Sequence, residues 1–182
     1  MDAGERLFLE KGIAAASIDD IVRAANVAKG TFYLYFQSKD DLVAALRERY
    51  VETFQRRIAD YEEAANPSDW SQRMQRFIEA VVETYLGSVE LHDLLFHSAD
   101  HHPERRASQS EEGIVRGLAD RLKAGTEAGA WRVEDPEMTA ILLYHAFHGA
   151  LDHVAMTKKR KPSTKAVVAT LRSFFSRVVQ QT

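Results

Sequence analysis

The feature that most constrains the fold of this chain is the spacing of its apolar residues. Between widely separated prolines, apolar side chains recur at intervals of three and four residues rather than at alternate positions. The 182-residue chain has only four prolines and nine glycines, so few positions interrupt a helix. Its 45% hydrophobic residues are enough for a packed core. We therefore predict an all-α fold.

Composition disfavours several classes of protein. The chain has no cysteine, which removes disulfides and thiolate metal sites and fits a reducing compartment. Neither a signal peptide nor a run of about 18 apolar residues is visible, so we expect a cytoplasmic protein with no membrane partner. The net charge of −3 means that any argument for a nucleic-acid partner must rest on local charge.

Capping signals predict four helices before residue 66. Gly12 suits the left-handed conformation that follows a helix, and Ser17 and Ser38 are typical N-caps. Asn26 tolerates a positive φ and predicts a sharp turn. The predicted helices cover residues 3–10, 18–25, 28–35 and 39–61. Longer helices are predicted after the Asn66-Pro67 pair, at residues 68–86, 89–99, 103–128, 136–158 and 163–181.

Two short helices joined by a tight turn predict a helix-turn-helix, whose second helix enters a DNA major groove. At about 100° per residue, Phe32 and Phe36 share one face and are expected to anchor that helix. Tyr33 and Tyr35 flank this face, where a ring packs and a hydroxyl reaches a phosphate oxygen. The residues that point away from it are Gly30, Thr31 and Leu34. The alternative is that the four rings simply form a core patch.

Local charge supports the DNA-binding interpretation. Between Ile21 and Lys39 the sequence contains Arg23, Lys29 and Lys39 but no acidic residue. Gly30 allows close approach of the backbone to DNA, and Leu34 suits contact with a thymine methyl group. The motif is therefore locally basic although the whole chain is acidic.

The stretch from Leu7 to Leu42 resembles the DNA-binding domain of the tetracycline-repressor (TetR) family of bacterial transcription regulators. The resemblance rests on LFLEKG, SIDDIVRAANVAKGTFYLYF and SKDDL. It implies a helix-turn-helix domain over residues 1–47 and a larger helical effector-binding and dimerisation domain over residues 48–182. It also implies a homodimer that represses transcription at a near-palindromic double-stranded DNA operator and is released by a small molecule. Activation by the same DNA docking is the alternative output.

The resemblance also assigns DNA-contacting positions and shows departures from the family pattern. Ala28 stands where the family often has Ser, so we expect a recognition helix without a hydroxyl cap. Asn26 replaces the usual turn glycine. Met1 falls inside what should be helix 1, so we expect this helix to be truncated at its start. The predicted DNA-binding residues are Ser17, Ala28, Lys29, Gly30, Thr31, Tyr33, Leu34, Tyr35 and Lys39.

The larger domain carries a candidate dimer interface. Small residues on one side of the predicted helix 136–158 permit close approach of a partner helix, and the last helix has an apolar face. The alternative is that these helices are buried within their own subunit. The predicted interface residues are Ala146, Gly149, Ala150, Phe174, Phe175 and Val178.

An apolar pocket with a few polar groups is typical of a small-molecule site. Aromatic residues of the larger domain are candidates for the lining of such a pocket, and histidines are candidates for its hydrogen-bonding groups. Most of these residues could equally belong to the core. The effector itself is not identified by the resemblance. The candidates are Phe77, Tyr85, Phe96, His97, Trp131, Tyr144, His145, Phe147 and His148.

The histidines also raise a metal hypothesis. His145 and His148 are three residues apart and Asp152 follows four residues later, a spacing that suits one ion on a helix. A second group comprises His97, His101 and His102. Solvated or hydrogen-bonded histidines are the ordinary alternative, and we predict no metal site and no cofactor. No phosphate loop or nucleophile elbow is visible, so we expect no catalytic residue and no enzyme.

Overall fold

The computed structural model describes residues 1–97, 107–157 and 162–179, and those residues contain nine helices. The prediction of an all-α fold is confirmed. None of the described helices combines the length and the apolar character that crossing a bilayer requires. The helices are α1 Asp2–Lys11, α2 Ile18–Ala25, α3 Lys29–Tyr35, α4 Lys39–Glu63, α5 Trp70–Gly87, α6 Val89–Phe96, α7 Ala107–Glu127, α8 Pro136–Met156 and α9 Thr164–Val178.

Several boundaries differ from the predicted ones by one to three residues. α5 begins at Trp70, two residues later than predicted, because Asp69 caps it by accepting a 2.8 Å hydrogen bond from the Gln72 backbone N–H. α6 ends at Phe96 rather than at residue 99. The predicted start of the seventh helix at residues 103–106, and the predicted ends at residues 158 and 180–181, lie outside the described residues.

The predicted caps at Ser17, Asn26 and Ser38 are confirmed, whereas Gly12 has a positive φ of 82° with ψ 158° and so lies outside the left-handed helical conformation predicted for it. Ser17 Oγ accepts from the Asp20 backbone N–H at 3.1 Å, and the Asp20 side chain accepts from the Ser17 backbone N–H, so the two residues form a capping box. Asn26 adopts the left-handed conformation, with φ 55° and ψ 46°. Ser38 Oγ accepts from the Asp41 backbone N–H at 3.1 Å. These local bonds set the start of α2, the sharp turn after it, and the start of α4.

The chain divides into two compact units. Unit 1 comprises Met1–Thr53 and Ser88–Ser110, and unit 2 comprises Phe54–Gly87 and Glu111–Thr182. The division falls inside α4, six residues after the predicted boundary at residue 47, and it adds α6 to the first unit. Leu95 of α6 explains this assignment because it is fully buried in the core of unit 1, and its carbonyl accepts a 2.6 Å hydrogen bond from Arg47 Nε.

The core of unit 1 joins α1, α2, α3, α4 and α6. α1 approaches α4 closely at Gly4, where an added Cβ would lie 2.8 Å from Leu42 Cδ2. Apolar side chains from all five helices meet there, so the short α3 is held by residues distant in sequence. The buried members are Phe8, Ile13, Ala16, Ile21, Val22, Phe32, Leu42, Val43, Leu46 and Leu95.

Trp131 organises part of the core of unit 2. Its indole Nε1–H donates to the Leu122 carbonyl at 2.8 Å. The ring packs edge-on against Trp70 and Phe175, with centroid distances of 5.5 and 5.6 Å. Both Trp131 and Phe175 are about 4% exposed. The placement of Phe175 at a dimer interface was therefore wrong, because it fills the core of its own subunit, whereas a role of Trp131 in an effector pocket stays a prediction.

Gly125 of α7 faces the Trp131 ring so closely that an added Cβ would overlap it. We expect Gly125→Ala to lower the free energy of unfolding by about 1 to 3 kcal/mol, since the rigid indole must shift. Gly113, in the same helix, is the matched control because its added Cβ would lie 3.5 Å from Gln55 Nε2, an ordinary contact. Gly113→Ala should be neutral or stabilise by up to about 1 kcal/mol. Urea unfolding would measure both, and equal effects would contradict the packing argument.

Candidate nucleic-acid interface

The turn at Asn26 and the core beneath α3 decide which side chains of α3 are exposed. Phe32 is 6% exposed in the core of unit 1, and the half-buried Phe36 packs against it with ring centroids 5.5 Å apart. Tyr33, Leu34 and Tyr35 are 49%, 81% and 76% exposed. The prediction that the phenylalanines anchor the helix is confirmed, and three large side chains lie on its outer surface.

The start of α3 is also accessible. Ala28, Lys29 and Gly30 are exposed, and Thr31 is half-buried. Ala28 is the N-cap residue but provides no side-chain hydrogen bond, as its identity predicts. A Cβ at Gly30 would meet no atom within 4 Å, so the backbone there is open to an approaching partner.

The basic side chains of the helix-turn-helix are paired with acidic residues of α2. Lys29 Nζ lies 2.8 Å from Asp19 Oδ1, with both side chains more than half exposed. Asp20 is shared between Lys11 at 2.8 Å and Arg23 at 3.6 Å. The hydrogen bond from Lys11, together with those from Ser17, holds the pKa of the Asp20 carboxyl well below its ordinary value. The acid-free stretch from Ile21 to Lys39 did not reveal these pairs, because both carboxylates precede it.

Ser17 and Lys39 have intramolecular partners in this structure. The Ser17 hydroxyl donates to Asp20 Oδ2 at 2.7 Å and belongs to the capping box. The ammonium group of Lys39 donates to the carbonyls of Ile13, Ala14 and Ala16 at 2.6, 3.3 and 3.0 Å. An ammonium has three donors, so Lys39 fastens the α1–α2 loop to the start of α4 instead of projecting free charge.

Four of the residues considered for a ligand or metal site gather between α5 and α8 in unit 2. The Tyr85 hydroxyl donates to Asp152, and His148 Nδ1 lies 3.5 Å from Asp152 Oδ2. Tyr144 stacks on His148 with centroids 5.6 Å apart, and Tyr85 meets the same imidazole edge-on at 5.7 Å. We call Tyr85, Tyr144, His148 and Asp152 the polar aromatic cluster.

The other candidates lie elsewhere. Phe77 is buried beneath the Arg121 guanidinium, 5.1 Å from its ring centroid, and Phe147 is buried in the core. Phe96 and His97 belong to unit 1, where His97 pairs with Asp93 at 3.5 Å. The part predicted for these two residues in an effector pocket stays a prediction.

The histidines of the metal hypothesis do not gather as that hypothesis requires. His145 Nε2 lies 3.3 Å from Glu111 on α7, and its side chain is 62% exposed. The ligand atoms of His145, His148 and Asp152 do not come together at one point. An i, i+3 spacing therefore did not determine where the imidazole of His145 points. His101 and His102 lie outside the described residues.

An exposed apolar stripe runs along α8. Leu142 is 62% exposed, and Met138 and Met156 are also accessible. The small residues Ala146, Gly149 and Ala150 are exposed between them. On α9, Phe174 and Val178 are exposed. We define the α8–α9 face as Met138, Ile141, Leu142, Ala146, Gly149, Ala150, Met156, Phe174 and Val178.

A helix-turn-helix with an outward-facing second helix, followed by a larger helical region, defines the class of DNA-binding transcription regulators. Comparison with protein families agrees. Residues 1–46 match the family of bacterial regulatory proteins, tetR family, and residues 69–177 match the tetracyclin repressor-like C-terminal domain. The chain belongs to the TetR family of transcription regulators.

Individual relatives carry the same description. The chain is 27% identical over 169 residues to the HTH-type transcriptional repressor DhaR of Mycobacterium sp. (strain GP1). The aligned region covers 89% of this chain and 83% of DhaR. The fold also matches the crystal structure of the putative transcriptional regulator from Pseudomonas aeruginosa PAO1. The superposition covers 97% of this chain and 86% of that protein, with 20% identity and a TM-score of 0.81.

A third match is AibR, solved in complex with isovaleryl coenzyme A and operator DNA. The superposition covers 94% of this chain and 93% of the AibR chain, with 17% identity and a TM-score of 0.64. At these identities the two solved structures establish a shared fold.

Lys39→Met should reveal whether Lys39 acts within the protein. Losing three hydrogen bonds from a charged donor should lower the free energy of unfolding by about 1 to 3 kcal/mol. The slope of log affinity against log salt for DNA should keep its wild-type value, because no phosphate contact is removed. Lys165→Met, at an exposed position on α9, is the control for loss of one charge. A slope shallower by about 0.9 with unchanged stability would instead identify Lys39 as a phosphate contact.

Proposed function

We propose that this protein is a dimeric, sequence-specific repressor that acts in the cytoplasm and leaves its operator when a small molecule binds. The observation that carries the proposal is the outer surface of α3. It exposes Tyr33, Leu34 and Tyr35, together with Lys29 and Gly30, while Phe32 fixes the helix from below. A soluble protein has no packing reason to expose three large side chains on a seven-residue helix, whereas a major-groove reader does.

The residues of α3 divide into two tasks. Tyr33 and Tyr35 are exposed at the protein surface, and a tyrosine hydroxyl there suits phosphate contact. Lys29 and Thr31 supply donors near the start of the helix, and Leu34 supplies an apolar surface for a thymine methyl group. Gly30 lets the backbone approach the groove. Ala28 adds only a methyl group, so the first turn depends on backbone N–H groups and Lys29.

Dimerisation follows from the α8–α9 face. An apolar face of this size on two neighbouring helices is costly to leave in water, and its small residues permit close helix packing. A second copy of the chain offers the same face, which a two-fold axis pairs with itself as a four-helix bundle. Two recognition helices about 34 to 36 Å apart would then meet successive major grooves, so the operator should be nearly palindromic.

The polar aromatic cluster is the part of unit 2 best suited to an effector. Its two tyrosines and His148 supply flat apolar surfaces and hydrogen-bonding groups, and Asp152 supplies charge. An effector that prefers one arrangement of these side chains shifts the population of the protein towards that arrangement. A coupling of about 1 to 3 kcal/mol to operator binding is enough for a useful response. The protein would thus act by binding and not by catalysis.

DNA binding can be tested by fluorescence anisotropy with labelled intergenic DNA that flanks the gene, in the presence of excess random duplex. We expect saturable binding that survives the competitor. Lys29→Met and Tyr33→Ala should each weaken it by about 10- to 100-fold, and their melting temperatures should stay near that of the wild type because both side chains are exposed. Wild-type protein that never discriminates the intergenic DNA from random duplex would refute the proposal.

The dimer has its own test. Leu142→Glu places a charge in the middle of the α8–α9 face, and we expect a monomer by size-exclusion chromatography with light scattering. Operator affinity should fall by more than about tenfold, because one recognition helix replaces two. Lys165→Glu is the control, since Lys165 lies about 180° around α9 from Phe174 and should leave the dimer intact. A dimeric Leu142→Glu protein would show that another surface mediates association.

A further inference from the structure

The helix-turn-helix presents almost no net charge to a phosphate backbone. Its two helices contain Asp19, Asp20, Arg23 and Lys29, two acids against two bases. Every one of these four side chains has an opposite partner within 3.6 Å. Lys29 is the only basic residue of α3, and its partner Asp19 lies in the first turn of α2. The cation at the start of the recognition helix is therefore already neutralised before DNA arrives.

We propose that Asp19 is a specificity-determining residue, which withholds Lys29 from random DNA and releases it only in the operator complex. The inference rests on the proposed function, because it assumes that α3 docks into DNA. The carboxylate–ammonium distance of 2.8 Å is that of a charge-assisted hydrogen bond. When a phosphate binds Lys29, the ammonium group gains a hydrogen bond to the phosphate and loses its hydrogen bond to Asp19. It also leaves the negative Asp19 unpaired beside the DNA.

The free energy of this exchange is therefore close to zero, and the other contacts between α3 and the DNA decide whether it occurs. When α3 is fully seated in the matching groove, Lys29 is brought to a DNA acceptor at fixed geometry and the exchange is favourable. In a loose, non-specific complex the phosphates stay at longer range, and the pair with Asp19 persists. The pair thereby reduces the electrostatic part of non-specific binding, which is the part without sequence information.

The exposure of the pair makes this exchange feasible. Both side chains are more than half exposed, so neither is held by the core. Asp19 is not the capping residue of α2; that task belongs to Ser17 and Asp20. Replacing Asp19 should therefore leave the start of α2 intact, and the effect on DNA can be measured in a folded protein.

The test compares wild-type protein, Asp19→Asn, Lys29→Met and the double variant on random duplex and on the operator-containing intergenic DNA across a salt series. For Asp19→Asn on random duplex, we expect affinity to rise by roughly three- to tenfold and the salt slope to steepen by about 0.9, one additional phosphate contact. On the operator the slope should stay at its wild-type value. The ratio of specific to non-specific affinity should fall.

The double variant identifies the route of the effect. If Asp19 acts through Lys29, Asp19→Asn should have no effect on random duplex in the Lys29→Met background. An equal rise in both backgrounds would overturn the proposal, because Asp19 would then act only as a repelling charge. Glu137→Gln, which removes one exposed negative charge from α8, should leave the slope for random duplex unchanged. Asp19→Ser serves as a second variant if the amide substitution lowers the melting temperature.

The outcomes for the two proposals are separable. Wild-type protein that discriminates the intergenic DNA, combined with Asp19→Asn indistinguishable from wild type on random duplex, overturns this inference and leaves the repressor intact. Wild-type protein that binds neither duplex refutes the DNA-binding function, and the inference falls with it.

Discussion

The burial of Phe32 in the core of unit 1 is the interaction on which the DNA-binding face depends. α3 has only seven residues, too few to be stable alone in water. Its position comes from Phe32, which packs among residues of α1, α2, α4 and α6, and from Phe36 beside it. Because a helix turns by about 100° per residue, fixing Phe32 and Phe36 inward places Leu34 outward and Tyr33 and Tyr35 on the two flanks. The same ring that stabilises the unit therefore aims the recognition surface.

Ion pairs within the protein reduce the positive charge that this surface presents. The acids of α2 serve two purposes: Asp20 completes the capping box and pairs with Lys11 and Arg23, while Asp19 pairs with Lys29. Lys39 is drawn inward by three carbonyls. A helix-turn-helix can thus be basic over one stretch of sequence and nearly neutral in space. Paired charges of this kind leave little unpaired positive charge for general attraction to phosphates.

Local signals in the sequence predicted most of the first unit correctly. Ser17, Asn26 and Ser38 act through bonds to backbone groups a few residues away, so their roles are contained in short stretches. The angular sorting of Phe32 and Phe36 from the residues between them was also confirmed, since it needs only the helical period. The predictions for the larger region were less accurate. Trp131 lies between α7 and α8, Phe175 lies on α9, and Phe96 and His97 lie at the end of α6. Nothing local distinguishes a pocket, an interface and a core for these aromatic and polar residues.

The sequence by itself determined the helices, the tight turn before α3 and the family, because helical periodicity, caps and a short motif are properties of neighbouring residues. Only the tertiary structure decided which helices share a core and which charges are paired. α6 joins unit 1 because Leu95 and Arg47, 48 residues apart, meet there. Asp152 gathers Tyr85 and His148, while His145 turns to Glu111. Some of these contacts join residues that are far apart in the chain, and others depend on which rotamer a side chain of α8 adopts. The physical reason is that packing, not spacing along the sequence, selects both.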